Sequence, residues 1–176
     1  GILRTATLAV RNLLAEVGLE SRVKTSGSKG FHIVAPLDGA NGVEDVMAFA
    51  HAVASVLIQR DPGHLTLEFI KADRGSRIYL DIGRNGTGAT VAAPYAVRPK
   101  PGAPVSGPCT WDEVESGKAY PQAFTLRTMA ERLENIGDLW ADLPGQSLAG
   151  PMKQIEQLGG KLEVPVIRRF GTRPPR

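Results

Sequence analysis

The chain has 176 residues, 42% of them hydrophobic and 22% charged, with a formal net charge of +3. That is ordinary globular usage with enough length to bury one core, and no apolar run approaches the roughly 18 residues that span a bilayer. A single cysteine, Cys109, excludes an internal disulfide framework and a thiolate metal cage, and fits a reducing cytoplasm.

The first element is a helix over Ile2–Val17, where Leu3, Ala6, Val10, Leu13, Leu14 and Val17 recur at three- and four-residue steps. It is amphipathic and lacks the compact apolar segment of a secretion signal. Gly18 follows as a stop that tolerates a left-handed backbone. No capping residue precedes Ile2, which reads as a chain cut within a larger domain.

Thr25–Gly30 is a small polar turn, and Phe31–Ala35 a strand ended by Pro36. A second helix runs from about Asp45 to Gln59, with Val46, Phe49, Ala50, Val53 and Leu57 on one face, and Asp61-Pro62-Gly63 stops it. Leu65–Ile70 and Arg77–Ile82 read as strands. In the second, Ile78, Leu80 and Ile82 point one way and Arg77, Tyr79 and Asp81 the other. Arg84-Asn85-Gly86 is a turn, and Ala89–Ala93 resumes extended structure.

Val97–Pro108 is rich in proline and glycine and reads as an ordered, irregular loop. A short helix starts at Thr110–Glu115. Thr125 caps another, carrying Leu126, Met129, Ala130, Leu133 and Ile136, and Gly137 ends it. A last helix spans Ser147–Leu158, disturbed by Pro151. Strands interleaved with helices predict a mixed α/β (α+β) domain.

Three places carry chemistry. Lys24-Thr25-Ser26-Gly27-Ser28-Lys29-Gly30-Phe31-His32 sets hydroxyls, ammonium groups and a histidine around a glycine-bearing turn. Backbone N–H groups of such a turn can approach an anion, although a plain polar turn and a structural His32 fit the same residues. The spacing is not that of a Walker A loop. Asp81 sits among Ile, Tyr and Leu, where a carboxylate must be paired or bind a cation; a salt bridge and a metal ligand remain open. Arg98 is held near prolines, which suits a fixed phosphate contact. Trp111 and Trp140 read as core or interface anchors. Lys161–Arg176 holds five basic residues against one acid and is either a solvated tail or an arm on phosphates. Local positive charge makes Lys24, Arg74 and this tail candidates for nucleic-acid backbone contacts.

Taken in order, these segments resemble one family. Lys24–His32, Arg74–Asp81, Arg84–Gly88, Ala93–Val105 and Trp111–Glu113 are similar to motifs of the polymerase domain of bacterial DNA ligase D and of related free-standing primase-polymerases. The resemblance covers about Leu3–Leu158. It implies a template-directed nucleotidyltransferase of the archaeo-eukaryotic primase type that extends DNA ends or fills gaps in repair, including non-homologous end joining. Ser26, Lys29, His32 and Arg98 are then triphosphate contacts, Asp81 the third ligand of a manganese or magnesium pair, and Arg74 a contact to template; Arg84 joins Lys24 and Arg74 as a candidate contact to DNA. Implied partners are DNA ends or primer-template, nucleoside triphosphates, Ku and a DNA ligase, in the bacterial cytoplasm at the nucleoid and with no membrane.

One departure bears on activity. The family's first two metal ligands form an Asp-x-Asp pair, and this chain has none. Glu113-Val114-Glu115 has the spacing but lies downstream. The expectation is therefore the C-terminal part of a primase-polymerase domain at 1–160 with a basic tail at 161–176, inactive alone. A non-catalytic nucleic-acid- or nucleotide-binding remnant is the rival reading.

Overall fold

The computed structural model describes residues 1–165. The elements are α1 (Ile2–Glu16), β1 (Arg22–Thr25), β2 (Phe31–Val34), α2 (Val43–Arg60), β3 (Leu65–Thr66), β4 (Ile78–Tyr79), β5 (Pro108–Cys109), α3 (Trp111–Ser116), α4 (Leu126–Ile136) and α5 (Ala149–Gln157). Short 3-10 turns lie at Lys71–Asp73 and Ile82–Asn85.

The helices form where periodicity and caps agree. After α1, Gly18 takes φ +81°, and the Leu19 amide reaches back to the Leu14 carbonyl at 2.8 Å. In α2 the Asp45 carboxylate accepts from the Gly42 amide at 3.2 Å. This starts the helix two residues ahead of the expected Asp45. Thr110 and Thr125 cap α3 and α4 by accepting from the Glu113 and Thr128 amides. Pro151 does not disturb α5: it lies in the first turn, where a missing N–H costs no helical bond.

An antiparallel sheet of order β2-β1-β5 carries the centre of the molecule, and β3 pairs with β4 in parallel. The register sets Lys24 opposite His32 and Thr25 opposite Phe31. One hydrophobic cluster joins α1, α2 and α5 through Leu13, Val17, Phe49, Ala52, Val56, Leu65 and Ile155. A second gathers Val23, Val105, Cys109, Val114, Phe124 and Met129. Ile33 packs against both, so the sheet ties the two together. Trp111 packs on the second cluster and donates from its indole to the Ser21 carbonyl at 3.0 Å.

Four expectations change, three about strands and one about a loop. Leu65–Ile70 shortens to Leu65–Thr66, because the Thr66 hydroxyl accepts from the Glu68 amide at 2.9 Å and turns the chain. Arg77–Ile82 shortens to Ile78–Tyr79, because the Ile82 amide bonds the Leu80 carbonyl and the chain curls into a 3-10 turn. Ala89–Ala93 forms no strand. The Val97–Pro108 loop is more regular than expected, with a Val97–Val105 bridge and Pro108 starting β5. Of the basic tail, residues 166–176 lie outside the described residues. No helix among the described residues is long and apolar enough to cross a membrane.

Candidate functional site

The site grows from β1 and the turn after it. Ser26 closes the turn on itself. Its amide donates to the Gly30 carbonyl at 2.9 Å, and its hydroxyl oxygen accepts from the Ser28 and Gly30 amides at 3.1 Å each. Those two N–H groups are thus spent inside the loop. Gly27 takes φ +63°, and a Cβ there would lie 2.6 Å from the Arg98 Cγ and 3.2 Å from the Val105 carbonyl carbon. Only glycine lets the 93–106 segment lie this close.

That segment is pinned at several points. The Arg98 amide donates to the Pro104 carbonyl at 2.8 Å, and the Ser106 amide to the Ala96 carbonyl at 2.9 Å. The Tyr95 amide donates to the Ser106 carbonyl at 2.9 Å, and its phenol donates to Asp138 just beyond α4. Tyr95 and Ala103 hold positive φ values of 64° and 46°, a strain that these contacts sustain. Arg98 is thereby carried onto the Ser26 turn. Its guanidinium has no ion pair or hydrogen bond among the described residues. Lys100, which the sequence reading passed over, donates to the Ser28 hydroxyl at 2.8 Å across 72 residues. Its place two residues beyond Arg98 in the same proline-bounded stretch is the signal that could have found it. Lys29 is exposed at the tip of the turn.

Lys24 departs most from expectation. Marked as a surface contact to DNA, it is only 1% exposed. Its ammonium donates to the Ala92 carbonyl at 2.7 Å and the Ser106 hydroxyl at 2.5 Å, and lies 2.6 Å from His32 Nδ1. Burying an ammonium costs several kcal/mol unless its donors are satisfied, and here three partners meet three N–H bonds. Burial, then the nearby Arg98 charge, lowers its pKa from 10.5 to about 8. None of its donors remains for a phosphate backbone. Ser106, also missed, completes the hub: it is fully buried and donates to the Thr25 carbonyl at 2.9 Å.

His32 faces Lys24 across the β1–β2 pair and is half-buried. Burial, then the charges of Lys24, Arg98 and Arg84, lowers its pKa from 6.5 to about 4, with Asp81 opposing. The ring is neutral at pH 7, and these residues share one electrostatic neighbourhood.

Asp81 lies just past β4 and is exposed; its partner is Arg84, with Nε donating to Oδ2 at 3.0 Å, and not the expected Arg77 or Tyr79. Arg84 also donates to the Thr90 carbonyl at 3.1 Å. Arg74 turns inward: Nε donates to the Glu68 carbonyl at 2.7 Å, and the guanidinium stacks 4.1 Å over Tyr79. Arg77 donates to the Arg74 and Asp73 carbonyls.

A pair of divalent ions needs several anionic oxygens converging. Among the described residues no group of three or more His, Cys, Asp and Glu side chains can hold a cation. Glu113 is committed to Arg132, with both contacts at 2.6 Å, and Glu115 to Arg11 at 2.6 Å. The donor set present therefore does not fit a two-cation centre. What the face does offer is cationic and N–H donors from Arg98, Lys29, Lys100 and His32 around one turn, which suits a multiply charged anion.

Comparison with known proteins identifies the family. A family model described as the LigD primase-polymerase domain matches residues 2–140. The chain is similar to the multifunctional non-homologous end joining protein LigD of Pseudomonas aeruginosa, 35% identical over 158 residues, covering 88% of this chain and 18% of that protein. The Mycolicibacterium smegmatis protein of the same name is 35% identical over 136 residues, covering 76% and 17%. The chain thus spans less than a fifth of these curated relatives. Among solved structures it is similar to the polymerase domain of Mycobacterium tuberculosis ligase D in complex with DNA. The TM-score is 0.74 at 33% identity, covering 81% of this chain and 50% of that one.

Proposed function

This chain belongs to the LigD primase-polymerase domain family, and from that premise we propose that its polar face binds the triphosphate of an incoming nucleotide for a template-directed nucleotidyltransferase of DNA end joining. One observation carries the reading: the Arg98 side chain crosses Gly27 in the Ser26 turn, where a Cβ would meet its Cγ at 2.6 Å, and its guanidinium has no internal partner among the described residues. Arg98 then grips phosphate oxygens, Lys29 and Lys100 add charge, and His32 donates a hydrogen bond. The turn supplies shape, since Ser26 has already taken two of its amides.

A manganese or magnesium pair would neutralise the triphosphate and activate the attacking oxygen in such an enzyme. Asp81 is the one residue of this chain assigned to that work, and it is bound to Arg84. This favours a second reading in which the chain binds nucleotide and DNA without turnover. For DNA, the exposed Lys29 suits a phosphate contact better than Lys24, whose donors are engaged internally, and Arg84 is more exposed than Arg74 although each makes two internal bonds. Ku and a DNA ligase as partners, and a nucleoid setting in the cytoplasm, rest on the family alone.

The test titrates the purified chain with ATP and supplies it with manganese, a primed template and ribonucleotides. ATP binding that Arg98→Ala weakens, without extension, is the expected result. A folded chain that does not bind ATP overturns the nucleotide site. Extension that disappears in Asp81→Ala overturns the binding-only reading and calls for metal ligands elsewhere.

A further inference from the structure

The Lys24–His32 contact leaves one chemical question open, namely which atom holds the proton, and the surrounding bonds answer it. Ser106 Oγ gives its hydrogen to the Thr25 carbonyl, so toward Lys24 it accepts. The Ala92 carbonyl can only accept. Two of the ammonium hydrogens are so placed, and the third is directed along the 2.6 Å line to His32 Nδ1. An imidazole nitrogen that accepts there carries no hydrogen, and the hydrogen of the neutral ring is then on Nε2. Among the described residues nothing takes Nε2.

We propose that Lys24 is a positioning residue that fixes His32 in its Nε2–H tautomer and presents that N–H to the bound anion. Lys24 does not touch the ligand: it selects which atom of His32 does. The proposal rests on the nucleotide reading for the identity of the anion, but not for the tautomer. It also explains an ammonium kept in the interior, where an apolar residue would pack at less cost. A neutral ring without Lys24 exchanges between two tautomers, and only one offers a donor at Nε2.

The same geometry reverses when Lys24 deprotonates. The charged groups that act on the pair are Lys24 on β1, His32 on β2, Arg98 on the 93–106 segment, and Asp81 and Arg84 beside the 3-10 turn. As pH rises through about 8, the ammonium releases one proton to solvent. Its amine keeps two hydrogens for Ala92 and Ser106 and turns a lone pair to His32. The ring hydrogen then moves from Nε2 to Nδ1, and the contact persists with its direction reversed.

Long-range proton–nitrogen NMR of the histidine-labelled 176-residue chain reads the tautomer directly, with His32→Gln identifying the signal among the three histidines. At pH 7 the wild-type ring is expected as Nε2–H. Lys24→Met is expected to give a tautomer mixture and to weaken ATP binding by the reciprocal of the Nε2–H fraction, about twofold for an even mixture. Should that variant not fold, the wild-type chain carries the test alone: raising the pH past the Lys24 titration moves the ring to Nδ1–H. A wild-type ring protonated on Nδ1 at pH 7 overturns the proposal. So does a ring that stays pure Nε2–H in a folded Lys24→Met chain, or above the Lys24 titration. Unchanged ATP affinity with the ring moved mainly to Nδ1–H overturns the positioning role. Failure of the folded wild-type chain to bind ATP, with the tautomer as stated, removes the nucleotide reading and supports the assignment of the proton.

Discussion

Arg98 lies across Gly27 so closely that a single added carbon on the glycine would meet the arginine Cγ at 2.6 Å. Gly27→Ala should therefore act twice, through its left-handed φ of +63° and through this overlap with Arg98 and the Val105 backbone. A loss of about 1–3 kcal/mol is expected, the usual cost of a strained backbone position. Urea unfolding checks it. Equal midpoints with unchanged slopes would mean that the 93–106 segment moves aside freely.

Removing the guanidinium is a different experiment. Arg98→Ala leaves the amide bond to Pro104 in place, so the fold should hold. ATP affinity should fall by about 1.5–3 kcal/mol, as for a lost charge-assisted hydrogen bond. Calorimetric titration measures it, and an affinity equal to wild type would take Arg98 out of the site.

Arg132 and Glu113 form a bidentate pair with side chains only 15% and 22% exposed, and Arg132 also lies 4.2 Å over the Phe124 ring. Arg132→Ala should cost about 2–4 kcal/mol, because it strands a half-buried carboxylate and uncovers an aromatic ring. For Glu113, burial raises the pKa, but the Arg132 hydrogen bonds and the Thr110 amide outweigh it and hold it below the ordinary 4.5. Its contribution is then complete above the unfolded value and lost as pH falls through the lower native one. Acid unfolding followed in wild type and Glu113→Gln should show this component only in wild type.

His32 and Lys24 give pH dependence of the same sign in two higher windows. Both have lowered native values, so the unfolded chain holds more protons from about 4 to 6.5 for His32 and from about 8 to 10.5 for Lys24. The contribution of each to stability rises with pH across its window, opposed above about 9 by Cys109, whose thiol burial pushes up to about 12. His32→Gln should flatten the first rise and leave the second. A wild-type stability that is level from pH 4 to 6.5 would show that His32 is not held neutral.

Helices were legible where apolar periodicity met a stop or a cap, as with Gly18 after α1, Asp61-Pro62-Gly63 after α2 and Thr125 at the start of α4. β1 was not, because Arg22-Val23-Lys24-Thr25 reads as polar chain. Its buried lysine makes sense only once Ser106 and Ala92 are known to stand beside it. β5 was hidden by the proline and glycine that made its approach look irregular. Local sequence marked Ser26, His32, Asp81 and Arg98 as chemical residues, but Asp81 read as part of a strand. A bond between the Ile82 amide and the Leu80 carbonyl ended that strand early and left the carboxylate to Arg84.

The Ser106 hub binds Lys24 across 82 residues and the Thr25 carbonyl across 81. Contacts of such separation must close a long loop before they return any enthalpy, so they form with the hydrophobic clusters and not ahead of them. The amides of Thr25 and Gly107, which bond across this junction, should accordingly exchange with deuterium only through whole-molecule opening. Pocket and fold then share one equilibrium. A destabilising substitution far from Arg98 should lower the fraction of chains able to bind while leaving the affinity of each folded chain as it was.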